Sequence, residues 1–334
     1  MLNVGVIGYG YWGPNLVRNF GLAEDSRVVR ICDLNPANIE RARRAYPHVV
    51  ASQDPAELLT DPKIDVVAVA TPVSTHYSLA RAALENGKHI FIEKPFTQNA
   101  QQAEELIELG ERRNLKIMVD FPFLYTPAVN KIKELLDEGV LGKLLYYDST
   151  RINLGLFQHD VNVVWDLAPH DFSIIDYLAS SRPLGLTAFG MDHFGRNLEN
   201  IAYITVCYEG DLVAHFNTNW LSPLKIRLTL VGGDKRMLVW DDLDTDEKIK
   251  VYDKGVSITT QESMYGIMVD YRTGDMFAPK LERTEALTLE TARFVDSIVN
   301  GQSFPNDGVT GLRIVRMLEA CDRSMRENGR YVTL

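Results

Sequence analysis

Apolar runs and amphipathic segments alternate over about the first 120 residues of the chain. Residues 66–70 are apolar throughout, which is typical of a strand buried on both faces of a parallel sheet. The predicted strands are 3–7, 27–32, 65–70, 88–92 and 116–120, with an edge segment near residue 49. The predicted helices are 14–22, 36–46, 55–60, 73–86 and 98–113. This alternation predicts a doubly wound parallel sheet that binds its ligand at the carboxyl ends of the strands.

The pattern changes beyond about residue 121. A predicted helix over 127–138 is followed by segments rich in β-branched and aromatic residues, with glycine-containing turns between some of them. These segments are 143–151, 184–192, 201–208, 212–220, 225–231 and 236–241. Helices over 288–299 and 308–326 are predicted to close the chain. We therefore predict an α/β protein with a cofactor domain at 1–121 and, at 122–334, an α+β domain with a large open, mostly antiparallel sheet.

Segment 201–208 is largely apolar on both of its alternate faces. One face is expected to pack on helices of its own domain. The other is expected to pack on a second subunit, so the chain is predicted to form a homodimer or homotetramer through this sheet.

Composition narrows the class of protein. The chain has 334 residues, 46% of them apolar, which is enough for two domains with large cores. A net charge of −10 argues against a nucleic-acid or membrane surface as partner. The three cysteines lie far apart, so neither disulfides nor a metal site is expected. The first strand begins at once, and no apolar run approaches the ~18 residues of a membrane span, so a cytoplasmic location is expected.

A glycine fingerprint follows the first predicted strand directly. Gly8, Gly10 and Gly13 have the GxGxxG spacing. In a dinucleotide site the first glycine makes the tight turn, the second admits the pyrophosphate, and the third lets the helix pack on the strand. Free N–H groups at the helix start bind the phosphates. Because the motif lies in a complete strand–helix–strand unit, it predicts a dinucleotide site.

Asp33 ends the second predicted strand, about twenty residues after Gly13. A carboxylate there can accept hydrogen bonds from the adenosine ribose and would repel the extra phosphate of NADP, which favours NAD. Two alternatives stay open. Asp33 can instead cap the next helix, and three nearby arginines keep NADP possible: Arg41, Arg43 and Arg44.

Lys94 directly follows the predicted strand 88–92 within the segment Glu93-Lys94-Pro95. A side chain there projects into the crevice where a nicotinamide ring would lie. An ammonium group in a partly dry site can orient a substrate hydroxyl and stabilise a developing alkoxide. The alternative is an ordinary surface lysine.

Asp166 and His170 belong to a segment that is predicted to open a helix ending near residue 178. Residues four apart share one helix face, so Asp166 can orient the imidazole. Pro169 is expected in the first turn, where no backbone hydrogen bond is lost. A histidine near the positive helix end is biased towards the neutral form that a general base needs. The alternative is a structural histidine.

These residues together resemble the glucose-fructose oxidoreductase, inositol dehydrogenase and rhizopine-catabolism family (Gfo/Idh/MocA). The resemblance covers essentially the whole chain. It rests on the fingerprint at 8–13, Ala70-Thr71-Pro72 with His76, Glu93-Lys94-Pro95, and Asp166 with His170. It implies a Rossmann domain, a second α/β domain whose open sheet serves oligomerisation, and oxidation or reduction of a sugar or cyclitol hydroxyl with NAD(P).

The resemblance implies that Lys94, Asp166 and His170 are catalytic. Oxidation needs a base for the hydroxyl proton and a charge to steady the alkoxide. We assign the first role to His170 and the second to Lys94, although either could take the proton. The expected cofactor-binding residues are Gly8, Gly10, Tyr11, Trp12, Gly13, Asp33, Thr71, Pro72, His76, Glu93 and Lys94.

Within the family, segments 164–171 and 219–225 look most like dehydrogenases of nucleotide-activated sugars, such as UDP-N-acetylglucosamine or its uronate, oxidised at the 3-hydroxyl. A diphosphate needs cations or helix starts. The candidate cations are Arg151, Lys225, Arg227 and Arg272, each of which can equally be an ordinary sheet or surface charge. The candidate partners of sugar hydroxyls are Tyr125, Asn153, Gln158 and His159.

Two other functions stay open at this point. One is a dehydrogenase of free sugars or inositols from the same family. The other is a non-catalytic protein that senses NAD. The joint presence of Lys94, Asp166 and His170 counts against the sensor, since a sensor needs none of them.

Overall fold

The computed structural model describes residues 1–155, 160–253, 255–257, 270–272 and 274–334. The chain forms two compact units. The first unit comprises Met1–Thr126 and Thr284–Glu319, and the second comprises Pro127–Arg283 and Ala320–Leu334. This grouping differs from the division at residue 121 expected from the sequence, because the segment from residue 284 packs on the first sheet.

The first unit contains a six-stranded parallel sheet with the strand order β3-β2-β1-β4-β5-β6. Its strands are β1 Leu2–Ile7, β2 Ser26–Cys32, β3 Val50–Ser52, β4 Val66–Val69, β5 His89–Glu93 and β6 Ile117–Asp120. Its helices along this stretch are α1 Gly13–Leu22, α2 Pro36–Ala45, α3 Pro55–Leu59, α4 Val73–Glu85 and α5 Ala100–Arg113. The predicted doubly wound sheet is confirmed.

The strand order reverses between β1 and β4, because β2 follows on one side of β1 and β4 lies on the other. Ligands of such sheets bind in the crevice outside the carboxyl ends of the strands at this reversal. All four residues of β4 are buried, as the apolar run predicts. The glycine fingerprint lies at this point of the fold.

A cluster of phenylalanines joins the sheet to its helices. The ring of Phe20 from α1 meets Phe91 of β5 edge to face, with centroids 5.3 Å apart. Phe294, on a helix α8 that spans Ala286–Val299, lies 5.7 Å from Phe91. All three side chains are fully buried. Burial of this large apolar area explains why α8 belongs to the first unit despite its distance along the chain.

The second unit contains a nine-stranded sheet in which β7 and β10 pair in parallel and the other neighbours pair antiparallel. Its strand order is β16-β13-β12-β11-β7-β10-β9-β8-β17. The main strands are β7 Leu144–Leu154, β8 Pro183–Met191, β9 Ile201–Tyr208, β10 Val213–Asn219, β11 Leu221–Gly233, β12 Met237–Asp241 and β13 Ile249–Tyr252. The shorter strands are β14 Gly255–Ser257, β15 Asp270–Arg272, β16 Met276–Phe277 and β17 Val332–Thr333, of which β14 and β15 form a separate pair. The predicted mostly antiparallel sheet is confirmed.

The remaining helices are α6 Pro127–Asp137, α7 Val163–Leu178 and α9 Gly308–Arg326. Helix α7 packs on β7, β9 and β10. The residues of β9 alternate, so that Ile204 is fully buried while Tyr203 is about half exposed. None of the described helices combines the length and apolar character that a membrane span requires.

Candidate active site

The glycine loop at the end of β1 has no room for side chains at two of its three glycines. Gly8 has a φ of 97°, and a Cβ there would lie 2.3 Å from the carbonyl oxygen of Ala70, just past β4. A Cβ on Gly13 would lie 1.9 Å from the carbonyl oxygen of Gly8. A Cβ on Gly10 meets nothing within 4 Å, which leaves open space beside its backbone. The loop thus has the tight turn, the close helix packing and the open backbone that a dinucleotide pyrophosphate requires.

Asp33 connects the end of β2 to the glycine loop. Its carboxylate accepts hydrogen bonds from the backbone N–H of Tyr9, at 2.6 Å, and of Asn35, at 2.8 Å. The side chain that caps α2 belongs to Asn35, which accepts from the N–H of Ala37. The alternative that Asp33 caps this helix is therefore wrong.

The three arginines that follow Asp33 have separate partners. Arg41 donates to the carbonyl oxygens of Tyr9 and Gly10, the latter at 2.8 Å, and lies over the Tyr9 ring. Arg43 bonds the carbonyl of Ala51, and Arg44 pairs with Glu40 on its own helix. Of these three arginines, Arg41 is thus the one that hydrogen-bonds to the glycine fingerprint.

His76 joins the loops that follow β4 and β5. The side chain is buried, with Nδ1 2.9 Å from the carbonyl oxygen of Pro95 and Nε2 2.9 Å from that of Thr71. Thr71 is partly buried, whereas Pro72 and Tyr11 are exposed. His76, which is a predicted cofactor-binding residue, therefore connects the Thr-Pro segment to the Glu-Lys-Pro segment.

Lys94 follows the last residue of β5 and is partly buried. Its backbone N–H donates to Glu93 Oε2 at 3.0 Å. Its positive charge acts on the carboxyl groups of Glu93 and Asp120 and opposes the rise in their pKa. The structure thus places Lys94 at the carboxyl edge of the sheet, in an acidic environment.

Three carboxyl groups, from Glu93, Asp120 and Glu290, form what we call the acidic cluster. Glu93 and Asp120 end the neighbouring strands β5 and β6 as Cα partners. Glu290 comes from α8, and both it and Asp120 are fully buried. The carboxyl of Asp120 interacts with those of Glu93 and Glu290. Such groups cannot all be ionised at close range.

Donors from the surrounding segments contact each member of the acidic cluster. Trp12 Nε1 donates to Asp120 Oδ2 at 2.6 Å. The N–H of Phe121 and the amide of Asn306 donate to Glu290 Oε1 at 2.9 and 2.7 Å. Asp120 Oδ1 and Glu290 Oε2 are buried and have no donor among the described residues. A buried carboxyl oxygen without a donor favours the protonated form, in which the carboxyl group can itself donate to a neighbour.

Burial is the main cause of an elevated pKa for every member of the acidic cluster. Repulsion from Asp120 raises the pKa of Glu93 and of Glu290 further, well above the ordinary value. The cluster therefore holds protons at pH values where a free carboxyl would have lost them.

Asp166 and His170 lie on α7 in the second unit. The helix begins at Val163, and its N-cap Asn162 accepts hydrogen bonds from the N–H groups of Val164 and Trp165. Pro169 therefore lies inside the helix, and the expectation that it lies in the first turn was wrong because Asn162 already caps the helix before Val163. His170 is beyond the first turn, so the helix dipole acts on it more weakly than we expected.

Asp166, in the first turn, accepts a hydrogen bond from Trp220 Nε1 at 3.0 Å.

Arg151 and Tyr125, both candidates for substrate binding, are buried and have internal partners. Arg151 forms a two-point ion pair with Asp171, with N–O distances of 2.8 and 2.9 Å. The hydroxyl of Tyr125 donates to Asn306 Oδ1 at 2.7 Å. These bonds support structural roles, and the predicted substrate contacts of both residues stay predictions.

The other substrate candidates differ in exposure. Lys225 on β11 is exposed and has no ion pair with any described residue, whereas Arg227 on the same strand pairs with Asp242 at 3.2 Å. Asn153 on β7 is partly buried. Gln158 and His159 lie outside the described residues, and Arg272 is described only through the backbone of β15.

Sequence reasoning missed two members of the acidic cluster, although both leave a signal. Asp120 is a charged residue at the end of the apolar run 117–119, at the edge of the sheet where ligands bind. Glu290 lies three residues after Leu287 and four before Phe294, on the apolar face of α8. A carboxyl at such a position requires a buried partner, which is the clue to the cluster.

The sheet order and the glycine loop define a Rossmann-type, dinucleotide-binding domain. Residues 2–121 match the family described as "Oxidoreductase family, NAD-binding Rossmann fold", and residues 129–238 match the "GFO/IDH/MocA C-terminal domain". The chain belongs to this GFO/IDH/MocA family, as the sequence motifs suggested. It is therefore a dehydrogenase of CH–OH groups of sugars or polyols, and NAD, which when bound supplies the acceptor for a hydride, is its cofactor.

Several relatives match over nearly the whole chain. The scyllo-inositol 2-dehydrogenase (NAD(+)) of Bacillus subtilis is 25% identical, over 91% of this chain and 86% of that protein. The UDP-N-acetylglucosamine 3-dehydrogenase of Acidithiobacillus ferrooxidans is also 25% identical, over 94% of each. A solved structure of the latter enzyme aligns with a TM-score of 0.79 at 23% identity, covering 97% of this chain and 99% of that one. An Agrobacterium radiobacter oxidoreductase solved with NAD+, L-tartaric acid and magnesium aligns with a TM-score of 0.82 at 17% identity, covering 99% and 98%.

Replacement of the second and third fingerprint glycines should have different effects. Gly13→Ala should lower the melting temperature without ligand, because its Cβ would overlap the Gly8 carbonyl. Gly10→Ala should leave that temperature unchanged and weaken NAD binding at least tenfold, because its Cβ enters the open space beside the loop. Thermal melting and calorimetric titration with NAD measure the two effects. Gly21→Ala in α1, where a Cβ also meets nothing, is the control, and wild-type NAD affinity in Gly10→Ala would contradict the assignment of this loop.

Stability should fall as pH rises because of the acidic cluster. Between the ordinary carboxyl pKa of about 4.3 and its raised value, folded Glu290 keeps a proton that the unfolded chain releases, so the free energy of unfolding decreases with pH. Glu290→Gln mimics the protonated form and cannot ionise. Urea unfolding measures the free energy of unfolding of the variant relative to the wild type. This difference should be more favourable to the variant at pH 8 than at pH 5, by up to about 1.4 kcal/mol for each unit by which folding raises the pKa. Exposed Glu111→Gln is the control, and a constant difference between Glu290→Gln and wild type would contradict the raised pKa of Glu290.

Proposed function

We propose that the protein oxidises a secondary hydroxyl of a nucleotide-activated sugar, with UDP-N-acetylglucosamine or its uronate oxidised at the 3-hydroxyl as the substrate. The observation that carries this proposal is the resemblance of segments 164–171 and 219–225 to dehydrogenases of nucleotide sugars. The similarity to the Acidithiobacillus UDP-N-acetylglucosamine 3-dehydrogenase over 94% of both chains supports it.

The distribution of charge in the second unit narrows the residues that would hold a diphosphate. Arg151 and Arg227 are engaged by Asp171 and Asp242. Lys225 is exposed and forms no ion pair within the described part of the chain. We assign diphosphate binding first to Lys225, because a cation with no carboxylate partner can neutralise a phosphate without breaking an existing pair.

The catalytic residues of the proposed reaction are Lys94, Asp166 and His170. His170 takes the proton of the reacting hydroxyl as general base, and Asp166 orients its imidazole from one turn earlier on α7. Lys94 orients the hydroxyl and stabilises the negative charge that develops on its oxygen. Asn153, Gln158 and Tyr125 stay predicted partners of the sugar.

A free inositol or sugar is the second candidate substrate. The observation that favours it is the similarity to the Bacillus scyllo-inositol 2-dehydrogenase over 91% of this chain. An inositol carries no phosphate, so this alternative assigns no role to Lys225. The two candidates therefore differ in what Lys225 does.

The substrate can be identified by a melting-temperature screen in the presence of NAD, followed by turnover. Binding to the folded state raises the midpoint of thermal unfolding. UDP-N-acetylglucosamine should therefore raise this midpoint, and scyllo-inositol should not. NADH should then accumulate with the UDP-sugar, about 10²- to 10⁴-fold more slowly in Lys94→Ala and His170→Ala. Lys225→Ala should weaken binding of the UDP-sugar.

The exposed lysine Lys116 provides the control, since Lys116→Ala removes a surface charge outside the proposed site. Its turnover should match that of the wild type. If scyllo-inositol shifts the midpoint and is oxidised while no UDP-sugar does either, the substrate proposal is wrong. If Lys94→Ala and His170→Ala keep full activity, the catalytic assignment is wrong.

We also propose that the open face of the nine-stranded sheet joins two or more copies of this chain. Phe189 of β8 and Tyr203 of β9 are cross-strand neighbours, 58% and 48% exposed, and Met191 and Val213 add further apolar area. Several exposed apolar residues on one face of a regular sheet are typical of a homo-oligomer interface.

The oligomer can be tested by replacing both aromatic side chains. Phe189→Lys/Tyr203→Lys should reduce the particle mass measured by light scattering from that of a dimer or tetramer to that of one chain. Leu22→Lys, which changes an equally exposed apolar residue at the end of α1, is the matched control. A wild-type protein of single-chain mass at micromolar concentration would rule the interface out.

A further inference from the structure

The indole of Trp220 contacts Asp166 within the second unit. Trp220 lies between β10 and β11, and its Nε1 donates to Asp166 Oδ2 at 3.0 Å. The ring is 1% exposed, while Asp166 itself is only partly buried. One end of this hydrogen bond is therefore fixed in the core and the other end faces a more open part of the helix.

Trp220 is held in place through its backbone and its ring. Its N–H donates to the carbonyl of Asn200 at 3.0 Å, and its carbonyl accepts from the N–H of Gly155 at 3.1 Å. A Cβ at Gly155 would lie 2.4 Å from Cδ1 of the indole, so the chain passes directly against the ring and only glycine fits. The position of Nε1 is thus determined by two neighbouring segments, and the indole cannot follow Asp166 if that side chain moves.

A fixed donor restricts the carboxylate that it binds. An unbound Asp side chain on a helix surface can occupy several rotamers, and only some of them direct an oxygen towards the residue one turn later. A hydrogen bond to a charged group is worth about 1.5–3 kcal/mol, which is enough to hold one rotamer. The bond from Trp220 therefore favours the orientation of Asp166 in which Oδ2 meets the indole N–H.

The neighbouring residue makes the same kind of bond without involving a candidate catalytic group. Trp165 Nε1 donates to Asp322 Oδ2 at 2.8 Å, and the amide of Asn162 donates to Asp322 Oδ1 at 3.1 Å. This bond anchors the start of α7 through its capping residue. Trp165 and Asp322 thus form a second indole–carboxylate hydrogen bond, and this one stabilises the fold.

We propose that Trp220 is a positioning residue of the dehydrogenase, whose indole N–H holds Asp166 in the orientation that aligns His170 with the reacting hydroxyl. The proposal rests on the roles assigned above to Asp166 and His170. It adds a requirement for the N–H group itself, beyond the apolar bulk of the ring.

The test replaces the N–H without changing the shape of the side chain. Site-specific incorporation of 3-benzothienylalanine at position 220 keeps the bicyclic ring and substitutes sulfur for the donor. With UDP-N-acetylglucosamine and NAD, or with scyllo-inositol if the screen selects it, kcat should fall about tenfold to a hundredfold, the equivalent of one hydrogen bond to a charged group. KM, NAD affinity and melting temperature should change little. Trp220→Phe should show the same loss of kcat, together with a lower melting temperature.

Two controls separate positioning from structure. The same analogue at position 165 should lower the melting temperature and leave kcat within about twofold of wild type, because the bond to Asp322 does not orient Asp166. In an Asp166→Asn background the analogue at 220 should cause no further loss of kcat, since Trp220 acts through Asp166.

The outcomes distinguish the two levels of the proposal. If Asp166→Asn retains wild-type kcat, the catalytic assignment of Asp166 fails, and the role of Trp220 fails with it. If Asp166→Asn is impaired while the analogue at 220 leaves kcat unchanged, only the role of Trp220 is overturned. A loss of kcat in the analogue that adds fully to that of Asp166→Asn would also overturn it.

Discussion

Close contact between backbone segments at the carboxyl end of β1 is the constraint on which the cofactor site depends. The Gly8 N–H donates to the carbonyl of Cys32 in β2, while the Ala70 N–H after β4 donates to that of Ile7. Three strands therefore converge on a turn where Gly8 and Gly13 have no space for a Cβ. The same proximity lets Asp33 reach the N–H of Tyr9. Glycine spacing, acidic residue and strand order are thus consequences of one packing arrangement.

The acidic cluster extends this arrangement to the other half of the sheet. Trp12 from the fingerprint and Lys94 from the loop after β5 both interact with Asp120, so the two loops share one buried carboxyl. Three buried carboxyl groups in proximity are a cost to stability, since each must share or keep a proton. Groups with strongly raised pKa values at a ligand-binding edge are characteristic of functional sites. Lys94 therefore lies beside a destabilising feature to which Glu290 contributes.

Much of the first unit could be predicted from the sequence, because its main features are local. Buried parallel strands appear as apolar runs, and the dinucleotide loop appears as a glycine motif. The strands and helices before residue 121 lie within a few residues of their predicted positions. The predictions differ from the structure where a contact between distant segments or a single side-chain hydrogen bond determines the local structure. The grouping of α8 with the first sheet depends on Phe294 meeting Phe91, a contact between distant segments. The start of α7 depends on Asn162, whose role is visible only once its side chain is seen to accept two backbone N–H groups.

Charged residues in the second unit show why substrate recognition is harder to predict than fold. Arg151 and Lys225 are equivalent as cations in the sequence, yet Arg151 is buried against Asp171 and Lys225 is exposed. Removing one partner of a buried ion pair leaves an uncompensated charge, so Arg151 cannot turn to a ligand without a large cost. The exposed lysine has no such cost. Charge alone therefore does not select a phosphate contact, and the carboxylates already bound to each cation decide which of them is available to a substrate.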